Sequence, residues 1–169
     1  TLNDAVDEIT GPRGTTVTLG IRRAGEEELL QIPIVRDRIK LQTVKGWWNR
    51  YSTDDGSPVW DWYIDPENRI GYIRLTQFSN ETYRDLIKAL AQIESQGWIN
   101  GLILDLRFNP GGLLTAACEI SNLWVDQGVV VTGEDKAGNQ SFAMPAQPQT
   151  LLADLPTVIL VNKGSASAS

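Results

Sequence analysis

No histidine occurs in the 169 residues. That absence excludes a Ser-His-Asp triad, a Cys-His dyad and a His-ligated zinc from this stretch of chain. Any nucleophile here needs a different base, and lysine leads, because desolvation can lower its pKa far enough to accept a proton. Cysteine is nearly absent as well. The single Cys118 rules out an internal disulfide framework and a multi-cysteine metal site. Its neighbours Ala116, Ala117 and Ile120 predict a buried core thiol in a helix. Apolar runs such as 157–161 are too short to span a bilayer. Positive charge is scarce too: the net charge is −6, which argues against a nucleic-acid surface. The first residues, Thr1-Leu2-Asn3-Asp4-Ala5-Val6, are already amphipathic. They read as a chain cut at its N-terminus, so the lack of a visible signal peptide says nothing about export.

What is present is ordinary for a globular protein, with 41% hydrophobic and 21% charged residues. Leu2, Val6 and Ile9 are at helical spacing, and Gly11-Pro12 stops that helix. Residues 15–21 and 29–35 read as paired strands about a turn at Ala24-Gly25-Glu26. This set is too small to fold alone and is expected to complete a module that began upstream. Residues 40–69 hold Trp47, Trp48, Trp60 and Trp62 and read as a linker and hairpin. Alternating Trp60 and Trp62 point to packing on a core face rather than a ligand platform. Asp54-Asp55-Gly56-Ser57-Pro58 reads as a solvated turn, without EF-hand spacing.

From residue 70 onwards, strands alternate with helices, which indicates an α/β core. Strands are expected at 70–75, 101–107, 129–132 and 157–162. Helices are expected at 81–95, capped by Ser79 or Asn80, and at 113–126. Residues 133–140 read as a polar turn and 144–149 as an irregular loop. Two loops share one design, in which a buried strand ends in a turn rich in small residues, where sites of open α/β sheets collect. Gly111-Gly112 leaves amides free at a helix N-terminus, suited to an oxyanion, although a plain strand-to-helix turn would look the same. The Ser165-Ala166-Ser167-Ala168-Ser169 run leaves room for substrate around a hydroxyl, although a loop with a serine N-cap would also look so.

Taken together, Leu104-Asp105-Leu106-Arg107-Phe108-Asn109-Pro110-Gly111-Gly112 and Val161-Asn162-Lys163-Gly164-Ser165-Ala166-Ser167-Ala168-Ser169 resemble the two signature stretches of the C-terminal processing peptidases, or tail-specific proteases. Gly11-Pro12-Arg13-Gly14-Thr15-Thr16-Val17 and Val35-Arg36-Asp37-Arg38-Ile39 are similar to the end of the PDZ domain those enzymes carry. Ile70-Gly71-Tyr72-Ile73-Arg74-Leu75 resembles the strand that opens their protease core. The resemblance implies an α/β fold: a partial crotonase- or Clp-protease-like peptidase core (40–169), preceded by the C-terminal part of a PDZ domain (1–39). It implies a serine endopeptidase acting near C-terminal tails of protein or peptide substrates. No cofactor, metal or nucleic acid is implied, and the expected compartment is the periplasm or another extracytoplasmic space. Ser167 corresponds to the nucleophile, and Ala168 N–H with that of Gly111 or Gly112 to the oxyanion hole. The general base would be a lysine beyond Ser169, and the nearer Lys163 reads as solvated. The alternatives are a non-catalytic peptide-binding pseudo-peptidase and, more remotely, a crotonase-like acyl-CoA enzyme.

Overall fold

The computed structural model describes residues 2–25, 28–37, 41–148 and 150–169, without the side chains of Leu2 and Asn3. The first expected turn, in its Glu26 part, and the 39/40 boundary lie outside the described residues. The chain divides into two compact units, 1–41 and 42–169.

The first unit is helix α1 (Leu2–Ile9) and the antiparallel strands β1 (Thr16–Ile21) and β2 (Leu30–Val35). The Arg36 guanidinium ties them together. It donates to the Glu8 and Ile9 carbonyls at 3.1 and 2.8 Å and to Thr15 Oγ1 at 2.9 Å. A cation on the orphan carbonyls of a helix C-terminus also complements the helix dipole. None of the unit's described side chains is fully buried.

The second unit runs through β3 (Val44–Lys45), β4 (Trp48–Ser52), β5 (Pro58–Asp61), β6 (Tyr63–Asp65), β7 (Ile70–Leu75), α2 (Thr82–Ser95), β8 (Gly101–Asp105), α3 (Leu114–Ser121), β9 (Val129–Glu134), β10 (Gln140–Pro145) and β11 (Thr157–Leu160). One sheet has the order β11-β8-β7, all parallel, with β3 and β6 antiparallel along the other edge of β7. The three strands expected to share a sheet therefore do so. Ile73, Leu75, Leu102 and Leu104 form a core with Leu86, Ala89, Leu90 and Ile93 of α2 and with Ala116, Ala117 and Ile120 of α3. The spacing of the α2 residues is that of one helical stripe. Neither Ser79 nor Asn80 caps α2: the N-cap is Glu81, without a side-chain cap bond, and Ser79 instead braces the turn before it. Ser79 Oγ accepts Glu81 N–H at 3.3 Å, and its own N–H donates to Thr82 Oγ1 at 2.9 Å.

Several expectations need correction. Helix α3 ends at Ser121 rather than near 126, because the chain tightens into i→i+3 bonds at Leu123 and Trp124. There Trp124 Nε1 reaches Thr157 Oγ1 at 2.9 Å and Asn122 Oδ1 accepts Gln147 N–H. Residues 140–145 form strand β10, not a turn and loop, and pair with a β9 longer than expected. The true turn is centred on Asp135, whose carboxylate accepts the N–H groups of Ala137 and Asn139. Pro145 closes the strand, where a missing donor is tolerated. Trp62 is buried, with Nε1 on Gln92 Oε1 at 2.9 Å, and Trp60 packs beside it. Trp47 meets the Tyr72 ring edge-on, whereas Trp48 is 68% exposed on hairpin β4–β5, so the packing reading holds for only part of the group. Cys118 is buried as expected, its Sγ 3.4 Å from Met144 Sδ, and burial and then Glu119 push its pKa up. Among the described residues, no helix is long and apolar enough to cross a membrane.

Candidate active site

Strands β8 and β11 are parallel neighbours in register from Thr157↔Leu102 to Leu160↔Asp105. Their C-terminal ends therefore emerge side by side, and so do the loops that follow them. Leu106 N–H continues the ladder to Leu160 O at 2.8 Å. Beyond it, side chains take over from the sheet. The fully buried Asn109 donates from Nδ2 to Leu75 O at 3.0 Å and accepts Gly111 N–H on Oδ1 at 2.8 Å. Its backbone carbonyl accepts Ala166 N–H at 3.1 Å. Asn162 Oδ1 takes the N–H groups of Phe108 and Gly164, each at 2.9 Å. The sequence offered only a weak sign of these anchors, since asparagine is a common turn residue.

The three serines have separate fates. Ser165 Oγ donates to Leu106 O at 2.8 Å and accepts Asn162 N–H at 3.0 Å, so its hydroxyl is structural. Ser169 Oγ is buried without a hydrogen-bond partner among the described residues. Ser167 is exposed, and its hydroxyl makes no hydrogen bond among the described residues. Its φ is +55°, a left-handed conformation that costs a non-glycine residue about 1–2 kcal/mol. Such strain clusters at functional turns, and a sharp turn of this kind projects a side chain outward. No helix starts here among the described residues. A turn closed by Ser169 N–H on Ala166 O stands there instead.

The glycine loop adjoins this serine. A Cβ on Gly111 would lie 2.6 Å from Ala166 O, 2.7 Å from Ser167 Cβ and 2.8 Å from Ala168 N, so only glycine permits the approach. Gly111 and Gly112 have φ of +93° and +136°. Phe78 N–H donates to Gly111 O at 2.9 Å and Leu113 N–H to Phe78 O at 2.8 Å, pinning the pair on its far side. Gly111 N–H is engaged by Asn109. Gly112 N–H and Ala168 N–H find no acceptor among the described residues. The structure thus brings Ser167, Ala168 and both glycines together and leaves two backbone donors unengaged beside an exposed hydroxyl. Lys163 is exposed on the turn before Ser165 and makes no ion pair among the described residues.

Asp105, the last residue of β8, is wholly buried. Its carboxylate takes Arg107 N–H at 2.9 Å, Arg107 Nε at 3.0 Å, the Arg107 terminal nitrogen at 2.7 Å and the Tyr72 hydroxyl. Burial works to raise the Asp105 pKa, but the bonds from Arg107 and Tyr72 outweigh it and hold it at about 2. A folded-state pKa below the unfolded value of about 3.9 means that ionised Asp105 stabilises the fold above roughly pH 4, and that this contribution is lost as pH falls toward 2. Asp105→Asn is therefore expected to lower Tm by a constant amount between about pH 5 and 7, with the gap narrowing below about pH 4. Thermal unfolding of both proteins across this range is the check. A gap that stays constant down to about pH 2.5 contradicts the assignment.

A model of peptidase family S41 matches residues 69–169. The carboxy-terminal-processing protease of Bartonella bacilliformis is 38% identical over 172 residues, covering 100% of this chain and 36% of that protein. The carboxyl-terminal-processing protease of Synechocystis sp. is 39% identical over 169 residues, covering 99% of this chain and 36% of that protein. The chain thus spans about a third of the length of these relatives. Among solved structures, a photosystem II D1 C-terminal processing protease aligns with a TM-score of 0.60 and 26% identity, covering 99% of this chain and 42% of that one.

Proposed function

The chain belongs to peptidase family S41, and from that membership we propose that it forms part of a serine endopeptidase that cuts protein substrates near their C-terminal tails. The observation that carries this reading is the exposed, unbonded Ser167 hydroxyl on a left-handed turn, with two unengaged amides beside it. Ser167 Oγ attacks the scissile carbonyl. A neutral lysine from outside these residues takes its proton and later passes it to the leaving amine. The N–H groups of Gly112 and Ala168 hold the oxyanion, and water then releases the acyl-enzyme. Gly112 is preferred to Gly111 because the Gly111 amide is bound to Asn109. Asn109 acts as a positioning residue, setting the glycine loop against both the end of β7 and the serine loop.

In the same reading, residues 1–39 are the C-terminal part of a PDZ domain. A unit with no fully buried described side chain suits a module whose remaining elements come from elsewhere in the protein. That module would grip a tail by strand addition beside α1. The protein would work outside the cytoplasm, in the periplasm or an equivalent compartment.

The test uses one stable protein with an unstructured C-terminal extension and the same protein without it. The full-length enzyme is expected to cut only the extended form. Residues 1–169 alone are expected to cut neither, since losing general-base assistance forfeits roughly 10²–10⁴ in rate and losing a coupled base forfeits more. Tail binding by the full-length protein without cleavage would replace the peptidase by a peptide-binding relative. Turnover by residues 1–169 that requires Ser167 would move the base into this chain, with Lys163 the first to examine.

A further inference from the structure

Phe108 stands out in the loop between β8 and the glycine pair. Its φ is +61°, a left-handed conformation that glycine or asparagine adopts readily and a bulky aromatic does not. Burial of the ring does not offset this cost, because Phe108 is 65% exposed. Its placement is nonetheless fixed. Its N–H is held by Asn162 Oδ1, which also holds Gly164 N–H. The ring lies against Gly164, where a Cβ would come within 3.0 Å of Phe108 Cδ1 and 3.1 Å of its Cα. The aromatic side chain is thus seated on the serine loop three residues before Ser167. On the other side of the glycine pair in sequence, Leu113 and Leu114 are exposed as well. A strained aromatic that is 65% exposed and seated on the serine loop at Gly164 gains too little burial to account for its conformation, and such outliers point to function.

We infer that Phe108 is a specificity-determining residue, whose ring forms a wall of the subsite for an apolar substrate side chain next to the cleaved bond. This rests on the peptidase reading above. An apolar side chain against the ring removes both surfaces from water, whereas a polar one would be desolvated without a hydrogen-bonding partner on the ring.

The experiment uses the full-length protein, its Phe108→Asn and Phe108→Leu variants, and fluorogenic peptides carrying Leu or Asn at each position flanking the cleaved bond in turn. Wild type is expected to prefer Leu to Asn at one of these positions. Phe108→Asn should lower kcat/KM for the Leu peptide roughly 10-fold while leaving the Asn peptide within about 3-fold, and Phe108→Leu should keep part of the preference. The Tm of Phe108→Asn should be unchanged or higher, because the backbone strain is relieved. A preference that survives Phe108→Asn overturns the inference. So does an equal fall for both peptides together with a lower Tm, which is the mark of a packing role. If wild type shows no Ser167-dependent cleavage, the peptidase reading fails on its own. Calorimetric titration of the Leu and Asn peptides into Ser167→Ala and Ser167→Ala/Phe108→Asn then decides for Phe108, and equal affinities in the two proteins overturn the inference.

Discussion

Ser167→Ala in the full-length protein is expected to remove cleavage of a tailed substrate almost entirely, by roughly 10⁶-fold in kcat, as loss of a nucleophile does in coupled serine sites. Ser165→Ala, two residues away in the same run, is expected to retain most turnover and to show its effect in stability instead. The Ser165 hydroxyl bonds Leu106 O and Asn162 N–H, joining the two loops; removing it leaves Asn162 N–H without an acceptor, while Leu106 O keeps Asn109 N–H at 3.1 Å. That costs about 1–3 kcal/mol. Rates under saturating substrate and thermal unfolding of both variants separate the roles. Equal loss of turnover in two well-folded variants would remove the distinction between the serines and, with it, the assignment of Ser167.

The second large effect is expected at Gly111. A methyl group there must displace Ala166 O, Ser167 Cβ or Ala168 N, and φ is +93°, which alanine resists. The loops can yield only by moving apart, which draws the Ala168 amide away from that of Gly112. Loss of one oxyanion donor typically costs about 10²–10³ in kcat. Gly111→Ala is therefore expected to lower kcat by that factor or more while KM changes little, because the lost interaction develops in the transition state. Steady-state kinetics on a folded variant is the measurement. A normal kcat would show that the serine and glycine loops do not cooperate. Gly112→Ala is the poorer test, because its Cβ would run into the Phe78 carbonyl and disturb the loop's anchorage as well.

Much of this was legible in the residues themselves. The apolar stripe Tyr83, Leu86, Ile87, Leu90 and Ile93 and the apolar runs at β7, β8 and β11 carry strong signals, and the structure packs that stripe on the core and joins those strands in one sheet. The two loops were legible as a pair because each ends an apolar strand in small residues, although only β8 is buried: β11 is the edge strand, with Val158 and Ile159 exposed. Strand β10 was not. Gln140-Ser141-Phe142-Ala143-Met144-Pro145 has little intrinsic strand character and gains it from pairing with β9, a contact that no local pattern reveals. The end of α3 was missed for a related reason, since Trp124 and Asn122 are drawn away by partners distant in sequence. At the site, the sequence left Gly111 and Gly112 equivalent. What separates them is the buried Asn109 side chain, whose direction depends on the end of β7. Phe108 gave no sign at all, because a backbone dihedral is not written in residue type.

Because β8 and β11 lie side by side and parallel, the distance between the Ser167 loop and the Gly112 amide is set by one interstrand spacing of about 4.8 Å and a few asparagine bonds. The intervening residues, with their helix and the β9–β10 hairpin, enter neither term. The glycine and serine loops are far apart along the chain yet behave geometrically as one short piece. The stretch that separates them can therefore lengthen, shorten or change its surface without altering the gauge of the site, provided that β11 still finds β8.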